Sequence, residues 1–252
     1  MKILVALGTC CLLFTTGCFY TTDPTPGIPS DTMLWMKMNN SVQDYSDYRH
    51  SAVPGRVSYG DGRSTPALQS LSVDGTTTSF VQVDHVPVLA LPVAKNVSVS
   101  AWIRLFNSPE ATRYSQDEYA GIVCKAQNES SGGMLGWQLT IREGNKFNTQ
   151  FGSKGSFSDV TYEKQALDDG RWHHVVAVFE RTTQMLRYYI DGSLVLEEYH
   201  SELAQNVDNM APIRIGLERN STRPFKGNID DVRVYYRAIN ASDVSKLYAE
   251  NR

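Results

Sequence analysis

No run of one charge sign interrupts this sequence. Its 24 Lys and Arg residues are interspersed with 27 Asp and Glu residues, for a formal net charge of -3. A phosphate-tracking surface needs clustered cations, so nucleic acid is excluded as the expected partner. Cysteine is scarce. Of the 4 present, Cys10 and Cys11 lie in the apolar amino-terminal stretch, which leaves Cys18 and Cys124 and no disulfide framework. Beyond that stretch no segment approaches the roughly 20 consecutive apolar residues of a membrane span. Also missing is a strand reading Glu-x-Asp-x-Glu, which would set alternate carboxylates on one face as nucleophile and acid for glycoside cleavage. The acidic neighbours that do occur, Asp117-Glu118, Asp168-Asp169 and Glu197-Glu198, point to opposite faces in a strand and to solvent in a turn.

What is present begins with Met1-Lys2, an apolar segment from Ile3 to Phe14, and Thr15-Thr16-Gly17-Cys18. A positive start, a short apolar core and a small-residue cleavage site predict a signal peptide over residues 1–17. Phe14-Thr15-Thr16-Gly17-Cys18 resembles a bacterial lipobox, although Thr15 stands where Leu is usual. That resemblance implies lipidation of Cys18 and an extracytoplasmic protein anchored at the bacterial envelope; ordinary cleavage without lipid gives a secreted one. Residues 18–30 carry Pro24, Pro26 and Pro29 without periodicity, the composition of a stiff spacer.

From Asp31 onward, short β-branched and aromatic runs alternate with turn residues, and the 10% aromatic content favours strands. Leu71–Val73, Phe80–Val83, Asn96–Ile103, Trp137–Ile141, His173–Glu180, Leu186–Ile190, Ile213–Leu217 and Ile229–Tyr236 are the expected strands, with Met33, Met36 and Met38 packing in an opening one. Asp74-Gly75, Asp168-Asp169-Gly170 and Asp191-Gly192 are turn sequences. One helix is expected, capped by Asn240 with Asp243 in its first turn and Val244, Leu247 and Tyr248 on one face. Trp102, Trp137 and Trp172 fall in apolar strand patterns and are expected in the core.

A set of segments recurs in a telling order. Asp169-Gly170-Arg171-Trp172-His173-His174-Val175-Val176-Ala177-Val178 is followed by Tyr188-Tyr189-Ile190-Asp191-Gly192, then Ile215-Gly216, then Ile229-Asp230-Asp231-Val232-Arg233-Val234-Tyr235-Tyr236-Arg237-Ala238-Ile239. Upstream stand Ser100-Ala101-Trp102, Gly121-Ile122-Val123-Cys124-Lys125 and the opening Leu34-Trp35-Met36-Lys37-Met38. Together they resemble the laminin-G-like branch of the concanavalin A-like lectin/glucanase jelly rolls, with its "DGxWHHVAV", "YVDG" and "IDDVRIYNRAL" signatures. The resemblance implies an all-β, two-sheet antiparallel sandwich with a short carboxyl-terminal helix over residues 31–252. It further implies a non-catalytic recognition module for a glycan or another extracellular ligand. A glycoside hydrolase or polysaccharide lyase of the same group, and a structural surface or assembly protein, are the alternatives.

Individual residues sharpen the expectation. Neighbouring His173 and His174 face opposite sides of a strand, so they do not converge on one metal ion. His50, His85 and His200 show no ligand spacing. Cys124 lies in an apolar run and is expected to be a buried, inert thiol. Relatives often hold a structural calcium where the chain ends meet, and Asp230 with Asp231 occupies the matching position. Hard oxygen ligands suit Ca²⁺, and carbonyls from the Asp74-Gly75 turn or the segment near Asp44 would complete the site. The same acids could instead bond backbone at a strand entry. Exposed aromatics are candidates for stacking on sugar faces, among them Tyr45, Tyr48, Tyr114, Tyr119 and Tyr199. Five Asn-x-Ser/Thr sequons, at Asn39, Asn96, Asn128, Asn220 and Asn240, have no role in a bacterial chain.

Overall fold

The computed structural model describes residues 31–63, 69–91, 95–106, 119–130, 133–153, 155–219 and 222–250. The expected signal peptide, the spacer with Cys18, and Tyr114 lie outside these residues. Within them run β1 (Thr32–Met36), β2 (Ala52–Pro54), β3 (Ser58–Asp61), β4 (Gln69–Asp74), β5 (Val81–Val83), β6 (Val97–Leu105), β7 (Ala120–Asn128), β8 (Met134–Arg142), β9 (Lys146–Ser153), β10 (Ser156–Ala166), β11 (His173–Glu180), β12 (Met185–Ile190), β13 (Ser193–Tyr199), β14 (Ile213–Ile215), β15 (Lys226–Tyr235) and the helix α1 (Ala241–Ala249).

The strands form two antiparallel sheets. The first runs β13-β12-β11-β6-β15-β4-β3, with β1 also paired to β15; the second runs β10-β9-β8-β7-β14-β5-β2. Period-two alternation turns one face of each sheet inward. Val97, Val99, Ala101 and Ile103 from the first sheet and Trp137, Leu139, Phe147 and Phe151 from the second join a single core. Aromatic pairs bridge the layers: Phe151 lies 5.1 Å from Phe179, and Phe147 4.9 Å from Tyr188. The Tyr188 hydroxyl, too deep for water, meets Thr149 Oγ1 at 2.6 Å and donates to the Val160 carbonyl at 2.9 Å. This is the jelly-roll sandwich that the sequence signatures imply.

The helix forms where its cap demands. The Asn240 side chain accepts from the Asp243 backbone N–H while the Asp243 carboxylate accepts from the Asn240 backbone N–H. Buried Val244 and Leu247 then pack with Val176, Val178, Tyr189 and Tyr235 on the outer face of the first sheet. The helix therefore covers one outer face of the sandwich.

The repeated DG signatures have a local cause. Asp191 and Gly192 take φ of 51° and 80°, the left-handed pair that a tight hairpin between β12 and β13 requires. His173 ties this turn to the preceding one, with Nδ1 2.9 Å from Asp191 and Nε2 3.0 Å from Asp169. Trp172 departs from the core expectation. It precedes β11, is only half-buried, and lies 5.0 Å beneath the Arg104 guanidinium, because the turn it leaves carries the chain to the sheet rim.

Candidate functional site

The outer face of the second sheet is polar, and its pairing explains how. Gln138 opposes Gln150, which opposes Asp159; one row along, Thr140 opposes Asn148, which opposes Thr161. On the other flank Cys124 opposes both Gln138 and Arg214, and Arg214 opposes Gln82. Each of these residues stands one position from a core residue, so alternation that fills the core also lays a continuous polar row across the sheet.

That row is closed by hydrogen bonds. Gln138 Nε2 donates to Gln150 Oε1 at 2.6 Å, and Thr140 Oγ1 to Asn148 Oδ1 at 2.8 Å. Asn148 and Gln150 then donate to the two oxygens of Asp159 at 2.7 Å and 3.1 Å. Gln138, Thr140 and Asn148 are wholly buried, so their satisfaction is obligatory. They form a rigid floor.

Partly exposed groups lie above it. Tyr119 donates its hydroxyl to Asp159 at 2.7 Å, and the guanidinium groups of Arg142 and Arg223 sit 5.0 Å and 5.7 Å from its ring. Arg219 donates Nη1 to Gln150 at 2.7 Å and Nε to Asn128 at 3.0 Å. Arg214 donates to Gln82 and to the Arg219 carbonyl at 3.4 Å and 3.5 Å. Of the aromatics expected as ligand platforms, only Tyr119 joins this face among the described residues. Tyr48 stacks on His50 at 5.6 Å, Tyr45 packs 5.8 Å from Trp35, and the Tyr199 hydroxyl donates to Gln184 at 2.7 Å.

Cys124 lies beneath the same face, buried, with its thiol pushed up to about 12 by burial. Its Sγ donates to Gln138 at 3.4 Å, so it is a packing residue. His173 and His174 do point to opposite sides. His174 Nε2 is 2.8 Å from Ser100 Oγ, and its ring lies against Trp102 and Tyr248 under the helix, at 5.1 Å and 6.1 Å.

Asp230 and Asp231 sit in the middle of β15, at a bulge where pairing with β6 skips from Asp230–Trp102 to Arg233–Ser100 and Asp231 takes φ of 46°. Asp230 accepts from Arg63 Nε at 2.9 Å. Asp231 accepts from the Trp35 indole at 2.7 Å and from Arg233 through both oxygens, at 2.9 Å and 3.0 Å. Glu250 completes the group at 2.8 Å from Arg233. Burial works to raise the Asp231 carboxyl, but Arg233 and Arg63 hold it below the usual carboxylate range. At Asp230 burial wins over Arg63 and pushes the carboxyl up to about 6.

Near the two segments whose carbonyls were expected to complete a calcium site, the side chains are engaged: the Asp44 carboxylate accepts from the backbone of Trp35, Ser46 and His50, and the Asp74 carboxylate from the backbone and hydroxyl of Thr76. Among the described residues no three His, Cys, Asp or Glu side chains gather to hold a metal ion. Arg63 and Arg233 already bring positive charge to Asp230 and Asp231.

The floor residues Gln138, Asn148 and Gln150 and the arginines above them were not legible as a site in the sequence. Polar residues alternating with core positions in Trp137–Ile141 and Lys146–Phe151 were the available signal, but only strand register shows that they meet.

Comparisons with known proteins agree with this architecture. The family model described as the concanavalin A-like lectin/glucanases superfamily matches residues 74–245. Paraclostridial mosquitocidal protein 1 of Paraclostridium bifermentans is 20% identical over 230 residues, and the non-toxic nonhemagglutinin of the same organism 24% identical over 227. These alignments cover 88% and 86% of this chain but 17% of each relative. Among solved structures, the binding domain of Paraclostridial mosquitocidal protein 1 superposes with a TM-score of 0.68 at 18% identity, over 86% of this chain and 52% of that one. The botulinum neurotoxin serotype D ligand-binding domain in complex with N-acetylneuraminic acid gives 0.65 at 17% identity, over 87% and 50%. At such identities the likeness is one of fold, and the chain spans about half of each of these structures.

Proposed function

The chain belongs to the concanavalin A-like lectin/glucanases superfamily, and from that membership we propose that it is a non-catalytic, extracytoplasmic recognition module that binds a glycan or another extracellular ligand on the outer face of its second sheet. The observation that carries this reading is the polar row from Asp159 through Gln150 and Gln138, hydrogen-bonded into a fixed floor with arginines and Tyr119 above it. The buried floor holds the partly exposed arginines and Tyr119 in place, so these groups lose little freedom on binding a hydroxyl-rich ligand.

The same hydrogen bonds argue against turnover. Asp159 already accepts from Tyr119, Asn148 and Gln150, whereas glycoside cleavage needs one carboxylate free to attack or activate water and a second to donate a proton. Binding domains of the relatives lend support at the level of fold. We extend the reading to the amino terminus: Cys18 carries a lipid, and residues 18–30 hold the sandwich off the membrane.

Glycan arrays and pull-downs from the native surface test the binding role. Capture of a saccharide or surface protein, lost on Gln150→Ala, is expected; a clean negative in both assays removes the reading. Labelling with a palmitate analogue tests the anchor, and label that persists in Cys18→Ala would discard it.

A further inference from the structure

Resting on the reading of this face as a binding surface, we propose that its ligand is an acidic saccharide whose carboxylate is gripped by Arg219 and Arg223, with Arg214 adding charge beside them. The argument is one of unmatched cations. Arg219 bonds only the amide oxygens of Gln150 and Asn128, Arg214 only Gln82 and a backbone carbonyl, and Arg223 contacts the Tyr119 ring. None of the three has a carboxylate partner among the described residues. On this face Arg142 does, at 3.9 Å from Asp159.

The molecule supplies its own contrast. On the first sheet Arg63 meets Asp230, Arg233 meets Asp231 and Glu250, and Arg187 meets Glu180 and Glu197. A guanidinium group keeps its charge throughout the physiological range and presents a planar fork that matches a carboxylate in two parallel bonds. Arg219 and Arg223 are half-buried; the nearby carboxylates are engaged elsewhere, Asp159 by Tyr119 and two amides and the buried Glu218 by the Thr222 backbone and hydroxyl. A uronate-type carboxylate supplies the missing anion, while its ring hydroxyls meet neutral acceptors such as Asn128.

The test is isothermal titration of the purified protein with polygalacturonate, with the neutral polymer made by reducing its carboxyl groups, and with dextran sulfate. Polygalacturonate should bind, weaken as salt is added, and lose about ten- to a hundredfold in affinity in Arg219→Gln and in Arg223→Gln, the scale of one charge-assisted contact. Thermal melting confirms that these variants fold. Arg187→Gln on the first sheet should leave affinity unchanged. Equal binding of the reduced polymer overturns the acidic specificity while leaving the recognition reading in place. Binding of dextran sulfate alone overturns the carboxylate in favour of sulfate. Equal loss in Arg187→Gln reduces the effect to overall charge, and no binding to any of the three polymers overturns the acidic-saccharide proposal, while the recognition reading stands or falls with the glycan arrays and pull-downs.

Discussion

The two outer faces of the sandwich are built from the same alternation and finished in opposite ways. On the first sheet, polar positions are sealed: Asp230, Asp231, Arg233 and Glu250 neutralise one another with Arg63, and α1 covers the neighbouring apolar positions. On the second, a layer of amides is sealed, but Arg214, Arg219 and Arg223 above it have no carboxylate partner among the described residues. A buried charge without a partner is costly, and a closed network removes that cost at the expense of leaving nothing for a ligand. The difference separates a face that holds the chain together from one equipped to hold something else.

The sharpest way to break this contrast is at the first face. Asp231→Ala leaves the Trp35 indole without its acceptor and the buried Arg233 with Glu250 alone, and should lower unfolding free energy by about 3–5 kcal/mol, read by chemical denaturation. If the variant is as stable as the parent, the network is decorative and the comparison fails. Chelation belongs to the same test: EDTA should leave the melting temperature of the parent unchanged, since guanidinium groups already neutralise this pair, and a fall on chelation would restore calcium to Asp230 and Asp231.

The second effect is acidic. Burial pushes His174 down to about 3, more than nearby Asp231 can restore. The unfolded chain takes up that proton near pH 6.5 and the native chain only near 3, so stability from this group is intact above about 6.5 and drains as pH falls, by about 1.4 kcal/mol per unit. Asp230 works the other way: raised to about 6, it is protonated earlier in the native state and offsets part of the loss below that pH. Denaturation of His174→Gln between pH 7 and 4 should show a shallower acid decline than the parent; parallel curves would show that His174 is not held neutral.

Smaller effects are expected on the second face. Gln150→Ala leaves Gln138 Nε2 and Arg219 Nη1 without their acceptor, a loss of about 1–3 kcal/mol, and should abolish ligand capture as well, whereas Asp231→Ala should retain it while folded. Least of all, thiol reagents should leave Cys124 untouched in the native protein, because a buried thiol raised to about 12 offers almost no thiolate. Rapid labelling would show that the amide floor opens.

Much of the fold was legible. The alternation in Asn96–Ile103 and His173–Glu180, the DG turns and the Asn240 cap are local properties: the first two appear as strands, Asp191-Gly192 closes the β12–β13 hairpin, Asp74-Gly75 and Asp168-Asp169-Gly170 connect strands of different sheets, and the cap starts the helix. Strands β2, β3, β7, β9, β10 and β13 were not anticipated: β13 is mostly exposed at a sheet edge, and the outward face of β9 is filled with amides whose pairing lies in neighbouring strands. Trp172 misled because an apolar flank does not tell a rim from a core. Of the candidate site, Tyr119 alone had been singled out as a ligand-binding residue among the described residues, and for its ring rather than its hydroxyl.

By itself the sequence determined which segments become strands, turns and helix, since period-two patterning and turn chemistry act over a few residues at a time, while the two-sheet sandwich was implied by the resemblance of its signatures to a family. It also carried the His173 clamp, whose partners Asp169 and Asp191 belong to the flanking DG signatures. Which charges would be cancelled was decided only in three dimensions. Arg63 reaches Asp230 across 167 positions of chain and Arg219 reaches Gln150 across 69, and separations of that kind are set by strand order, which no local pattern encodes.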